Sequence, residues 1–342
     1  MKPTQRLLST GLICASMALA GQASARETIQ IAGSSTLLPF SSIAAEEFAQ
    51  AFVQFRTPVV ASGGTGGGLR QFCQGTGLHT IDIANASRPI KDSEIDSCAA
   101  QGVKRIMEIP VGYDGIVFAS RNDQASLDLS ARQIYLAAAA RINVDGQWVD
   151  NPYTRWSQLD SSLPDREIVL VVPASNHGTR EVFAEKLLQQ GCQGHEAITA
   201  LPDSEREGYC TGLRADGRVI EVAGDYTETL TRLQMQPQAL GVFGLNFYEQ
   251  NRDRLQVAAI DGVLPSLDSI GDGSYPVSRP LYFYVKGEHL DLVPGLKEFV
   301  EYFMDEAVSG SGSPLEEAGL IPLGTQEREQ AQAGFASGQT LR

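Results

Sequence analysis

The sequence predicts an α/β protein built as two domains, and two observations carry the prediction. Short apolar runs alternate with helical patterns in the first half, where strand, polar turn and helix follow one another three times. Removing a leader at residues 1–25 from the 342 leaves 317, above the length at which single cores divide. Four cysteines then remain, Cys73, Cys98, Cys192 and Cys210, an even count suited to disulfides in an exported chain.

The leader is read from its three parts. Lys2 and Arg6 form a basic start, Leu7 to Ala20 an apolar stretch, and Ala23-Ser24-Ala25 a cleavage site. That stretch is too short and interrupted to span a bilayer, and no later segment approaches the roughly 20 apolar residues required. The chain is therefore expected in the periplasm, cut near Ala25. Cleavage takes two cations, moving the formal charge from −14 to about −16. So acidic a chain excludes nucleic acid and anionic lipid as partners of its global field. Four cysteines allow three connectivities, and the two local pairs, Cys73–Cys98 and Cys192–Cys210, are favoured.

The elements follow in order. Strands are expected at Thr28 to Ala32, Val59 to Ser62 and Ile81 to Ala84. The helices between them carry Ile43, Phe48 and Phe52 inward, then run from about Gly68 to Cys73. Ile116 to Ala119 is a buried strand, and Ser130 caps a helix carrying Ile134, Tyr135 and Leu136. Residues 145–165 read as loop-rich. Ile168 to Val172 is a strand, and Thr179 to Leu188 a helix stopped by Gly191. Asp225 caps a helix to about Met235. Short strands follow at Gly241 to Gly244, Leu255 to Ile260 and Leu281 to Val285. Pro294 opens a helix with Leu296, Phe299, Val300 and Phe303 on one face. The tail after Gly324 is polar and reads as loose.

Three polar turns stand where strands pass into helices: Gly33-Ser34-Ser35-Thr36, Ser62 to Gly68, and His177-Gly178-Thr179. A helix N-terminus leaves N–H groups unpaired and carries partial positive charge. Hydroxyls add donors, and glycine admits close backbone approach. Three such turns converging would hold an anion without much net charge; each alone reads first as an ordinary cap. Arg88, just before Pro89, offers a planar fork suited to a tetrahedral oxyanion. Asp114 lies in the Val111-Gly112-Tyr113-Asp114-Gly115 turn.

Catalytic patterns are missing from the sequence. There is no GxSxG elbow, no Ser-His-Asp arrangement legible among His79, His177, His195 and His289, and no CxxC or His-pair spacing for a metal. The glycine run lacks the Lys-Ser/Thr of a nucleotide loop. No enzyme, cofactor or metal is expected.

At this point the chain resembles the periplasmic phosphate-binding protein family of Pst-type ABC importers. The matching stretches include GSSTLLPF at 33–40, SGGTGGGL at 62–69, DIANASRPI at 82–90 and GYDGIVFAS at 112–120. HGTREVF at 177–183, ALGVFGLNFYEQN at 239–251 and DGSYPVSRPLYFYV at 272–285 complete an ordered set. The resemblance implies a type II periplasmic-binding-protein fold: two α/β lobes, two crossover segments and a ligand cleft between. It implies lobe I from residues 26–113 and 277–342, and lobe II from 114–276.

It also implies a monomeric receptor that captures inorganic phosphate for the membrane permease of an ABC importer. Another oxyanion such as sulfate, molybdate or tungstate is the alternative within the class; a secreted phosphatase or an adhesin lies outside it. By position, Ser35, Thr36 and Leu37 match the first phosphate-binding turn, Ser62 the second, and His177, Gly178 and Thr179 the third. His177 stands where serine is usual, Pro173 where several members have arginine, and Arg88 where some have the acid that accepts the phosphate proton. Arg88 is thus expected as the cation and Asp114 as the acceptor, with Asp82 in reserve.

Overall fold

A computed structural model describes residues 26–175, 178–193, 196–223 and 226–341. The leader, His177 and Asp225 therefore lie outside the described residues. Thirteen strands are present among those described: β1 Gln30–Gly33, β2 Val59–Ser62, β3 Ile83–Ala86, β4 Ile106–Arg121, β5 Asp128–Leu129, β6 Arg141–Val144, β7 Gln147–Asp150, β8 Leu170–Pro173, β9 Val219–Val222, β10 Leu240–Gly244, β11 Leu255–Val257, β12 Ala259–Ile260 and β13 Ser278–Lys286. One nine-stranded sheet runs in the order β2-β1-β3-β13-β4-β10-β8-β9, with β11 also on β4. Its two ends, β2-β1-β3 and β10-β8-β9, are parallel, as helical crossovers between strands require. The middle is antiparallel because β13 returns beside β4.

Strand β4 serves both halves of this sheet. Residues 106–115 pair with β13, whereas 116–121 pair with β10 and β11. Only Ile116 to Ala119 was legible in the sequence, since Glu108, Pro110 and Gly112 break the apolar run before it. Each half has its own core. One gathers Ile116 to Val277 together with Ile321, and the other draws on residues 29–111 and 281–335 around Phe48, Phe283 and Phe299. These are the two lobes of the type II fold, with β4 and β13 crossing between them. Near the crossing a third segment joins them: Tyr113 and Ile321 exchange backbone hydrogen bonds of 2.8 and 3.0 Å. Gly112, at φ +147°, makes room, since a Cβ there would lie 2.6 Å from the Ile321 carbonyl oxygen.

Helices α1 (Leu38–Ala51), α2 (Thr65–Phe72), α3 (Asp92–Ala100), α4 (Ala131–Ala138) and α5 (Gly178–Phe183) follow strands and turns largely as the periodicity predicts. Ser130 caps α4 by accepting from the Gln133 N–H. Both local disulfides are formed, Cys73–Cys98 and Cys192–Cys210.

Four expectations need correction. Gly191 does not stop a helix. The chain stays helical from α5 through a π-helical stretch, Ala184–Gln189, to Gln190–Cys192. Gly191 is there for packing, because a Cβ would lie 2.2 Å from the Ala131 carbonyl oxygen on α4. Residues 145–165 are not all loop: β6 and β7 form a hairpin turning at Asp145-Gly146, both with positive φ. Leu255 to Ile260 is two strands with different partners, β11 on β4 and β12 on β5. The tail is not loose, since Thr325–Ala336 is a helix that buries Arg328, Ala331 and Phe335.

Candidate functional site

The site begins where β1 ends. At Gly33 the chain presses on β3 so closely that a Cβ would lie 2.1 Å from the Asn85 carbonyl oxygen. Gly68 of α2 packs against the same point, 2.5 Å from the Gly33 Cα by the same measure. These two glycines bring α1 and α2 onto one strand end. Ser34 turns inward and its Oγ accepts from the Thr36 N–H at 3.2 Å, which orients Ser35 and Thr36 ahead of α1. Helix α1 carries no side-chain cap, so its first N–H groups are not claimed by one. Between the lobes lies a cavity of about 350 Å³. Ser35 and Thr36 line it from lobe I, Asp114 from the crossover, and Thr179, Tyr226 and Asn246 from lobe II.

Arg279 is the charged centre of this region. Its side chain is 2% exposed and reaches from β13 toward both lobes. Nη2 donates to Thr36 Oγ1 at 2.5 Å and lies 3.4 Å from Glu181 Oε2, while Nη1 is 3.2 Å from Glu185 Oε2. Nε faces Asp114 Oδ2 at 3.5 Å. A buried guanidinium must be paired, and here three carboxylates surround it. Glu181 and Glu185 stand four apart in one helix and therefore share a face. On lobe II, Thr179 Oγ1 and the Tyr226 hydroxyl hydrogen-bond each other. Burial pushes the Tyr226 hydroxyl's pKa above its ordinary value, and the Asp114 charge adds to that, so Tyr226 keeps its proton as a donor. The region thus offers hydroxyl donors, a fixed guanidinium and carboxylate acceptors. Among the described residues no group of His, Cys, Asp and Glu could hold a metal ion.

A family model described as the PBP superfamily domain matches residues 18–307. The chain belongs to that superfamily. Protein SphX of Synechococcus elongatus is 29% identical over 99% of this chain and 92% of its own length. Phosphate-binding protein PstS of Staphylococcus saprophyticus is 28% identical, over 88% of this chain and 82% of its own. A crystal structure titled as a possible phosphate binding protein from Planctomyces limnophilus superposes with a TM-score of 0.72 at 26% identity. It covers 92% of this chain and 99% of that one.

Within this superfamily's cleft, the structure brings together some of the residues singled out in sequence and not others. Ser35, Thr36, Asp114 and Thr179 share the cavity wall. Gly178 starts α5 beside Thr179, and His177 lies outside the described residues. The Leu37 side chain is fully buried in the lobe I core, so only its backbone can face an anion. Ser62 closes β2 opposite Gly33 and does not line the cavity. Arg88 holds Glu94 through two hydrogen bonds of 2.9 and 2.8 Å, and that bond raises its pKa most. Its Nη2 lies 3.9 Å from where a Cβ on Gly66 of α2 would stand, and Arg88 does not line the cavity. Asp82 is remote from this wall, bound to Arg26, His289 and the Gln30 N–H.

Sequence reasoning missed Arg279, Glu181, Glu185 and Tyr226. For Arg279 a signal existed. In Ser278–Lys286 the buried phase of the alternation runs through Arg279, Leu281 and Phe283, so a cation sits at an inward position. An inward charge in a strand needs partners, and finding them requires the fold.

Proposed function

We propose that this chain is a periplasmic receptor that captures inorganic phosphate between its lobes and delivers it to the permease of an ABC importer. One observation carries the reading: Ser35, Thr36 and Thr179, drawn from both lobes, line one cavity with Asp114, and the buried Arg279 holds Thr36 and faces Asp114 behind that wall. That set matches a tetrahedral oxyanion that still carries a proton. Relatives named for phosphate binding support the choice of ligand and a receptor rather than a catalyst. The division into lobe I (26–113 and 277–342) and lobe II (114–276) belongs to the same reading. So do action as a single chain and cleavage near Ala25. Gly178, the Leu37 N–H and His177 complete the proposed shell, with Ser62 and Arg88 at its edge.

Titration calorimetry on phosphate-stripped protein tests this. One phosphate per chain is expected. Saturable binding of sulfate with none of phosphate would select the other-oxyanion reading. Turnover of a phosphate ester would select a phosphatase.

A further inference from the structure

The lobe II carboxylate of Glu181 lies on the donors that the proposed ligand needs. Its Oε2 accepts from Ser35 Oγ and Thr36 Oγ1, each at 3.3 Å, and stands 3.4 Å from Arg279 Nη2. All three donors belong to the α1 turn and β13, whereas Glu181 rides on α5 across the cleft. An anion oxygen that used those two hydroxyls and that guanidinium would occupy the position of Oε2. We infer that Glu181 is an internal anion competing with phosphate for one subsite, and that it sets the receptor's affinity. This rests on the phosphate reading above and deepens it.

The neighbouring carboxylates do not share the role. Asp114 is fixed in the sheet opposite Arg279, and Glu185 meets the guanidinium without touching either hydroxyl. Glu181 alone of these three spans both hydroxyls and Arg279, so it joins the lobes as a ligand oxygen would. The helix behind it is π-helical from Ala184 to Gln189, a local irregularity common where a helix serves a site. Arg279 cannot neutralise a further anion while it faces Asp114, Glu181 and Glu185 together. Phosphate therefore binds as Glu181 withdraws, and part of its binding energy goes into breaking that contact.

The test compares Glu181→Gln and Glu181→Ala with the wild type, each checked for folding by circular dichroism. Calorimetry should show phosphate bound about tenfold more tightly by both variants, the size of one charge-assisted hydrogen bond. Scattering from the phosphate-stripped Glu181→Ala protein should show a larger radius of gyration than the stripped wild type. Weaker phosphate binding in both variants would make Glu181 an acceptor for the ligand and overturn the inference. Unchanged affinity would overturn it as well. If neither wild type nor variants bind phosphate, the receptor reading fails, and the scattering comparison still decides whether Glu181 holds the lobes together. An unchanged radius then sinks that contact too.

Discussion

Arg279 and Asp114 are cross-strand partners on β13 and β4, with Arg279 Nε 3.5 Å from Asp114 Oδ2 where the chain passes between lobes. Both sides are largely withdrawn from water, at 2% and 15% side-chain exposure. An opposed charge pair at that register fixes the guanidinium's base while its Nη atoms reach Thr36 on one side and the glutamates on the other. The crossover is therefore both the connection between lobes and the seat of the cleft's cation.

Arg279→Gln is expected to weaken phosphate binding at least tenfold. One hydrogen bond to a charged group contributes roughly 1.5–3 kcal/mol, and each ~1.4 kcal/mol is a decade in affinity. Arg279→Lys should recover only part of the loss, because an ammonium cannot face four partners with a planar fork. Calorimetry on folded variants decides; wild-type affinity in the glutamine variant would confine Arg279 to a structural role.

Asp114→Asn should narrow the preference for phosphate over sulfate. Near neutral pH phosphate retains a proton to donate to a carboxylate, whereas sulfate presents only lone pairs and like charge. Discrimination thus comes from repulsion as much as attraction, and an amide removes the repulsion. Competition titrations of both anions against both proteins measure the ratio. If it does not move, the acceptor is another carboxylate of the cluster.

Away from the cleft, Lys286 predicts a pH effect on stability. It is fully buried, with Nζ donating to the Gly75 carbonyl at 2.7 Å and to Thr80 Oγ1 at 2.6 Å. Burial lowers its pKa from 10.5 to about 8, against the opposing pull of Asp82 and Glu288. Below pH 8 the amine is charged folded and unfolded alike, and the folded state bears the full cost of burying the charge. Between about 8 and 10.5 the unfolded chain keeps a proton that the folded chain has lost, so stability rises with pH. The gain is roughly 3 kcal/mol, at ~1.4 kcal/mol per pKa unit. Urea titrations across that window should show the rise in wild type and not in Lys286→Met. Tyrosines titrate there too and cancel in the difference. Parallel curves for the two proteins would refute the assignment.

Local patterns in the sequence determined much of this protein. Alternating apolar runs specified most strands of the parallel half-sheets, Ser130 specified a cap, and hydroxyl turns before helices singled out Ser35, Thr36 and Thr179, which line one cavity. Nearest-neighbour spacing also favoured the cysteine pairs that formed. These features depend on residues close in the chain, where periodicity and turn chemistry act directly. What the tertiary structure decided depends on distance across the chain. Gly191 reads as a helix stop until Ala131 is seen packed on it, and the polar tail becomes a helix because Phe335 finds the lobe I core. Arg88 was the visible arginine, but Glu94 six residues on occupies its fork. Arg279 instead lies 243 residues from Thr36 and 98 from Glu181. Only the return of β13 beside β4 brings that cation to the turn at α1, because a buried charge is positioned by partners that no local pattern can name.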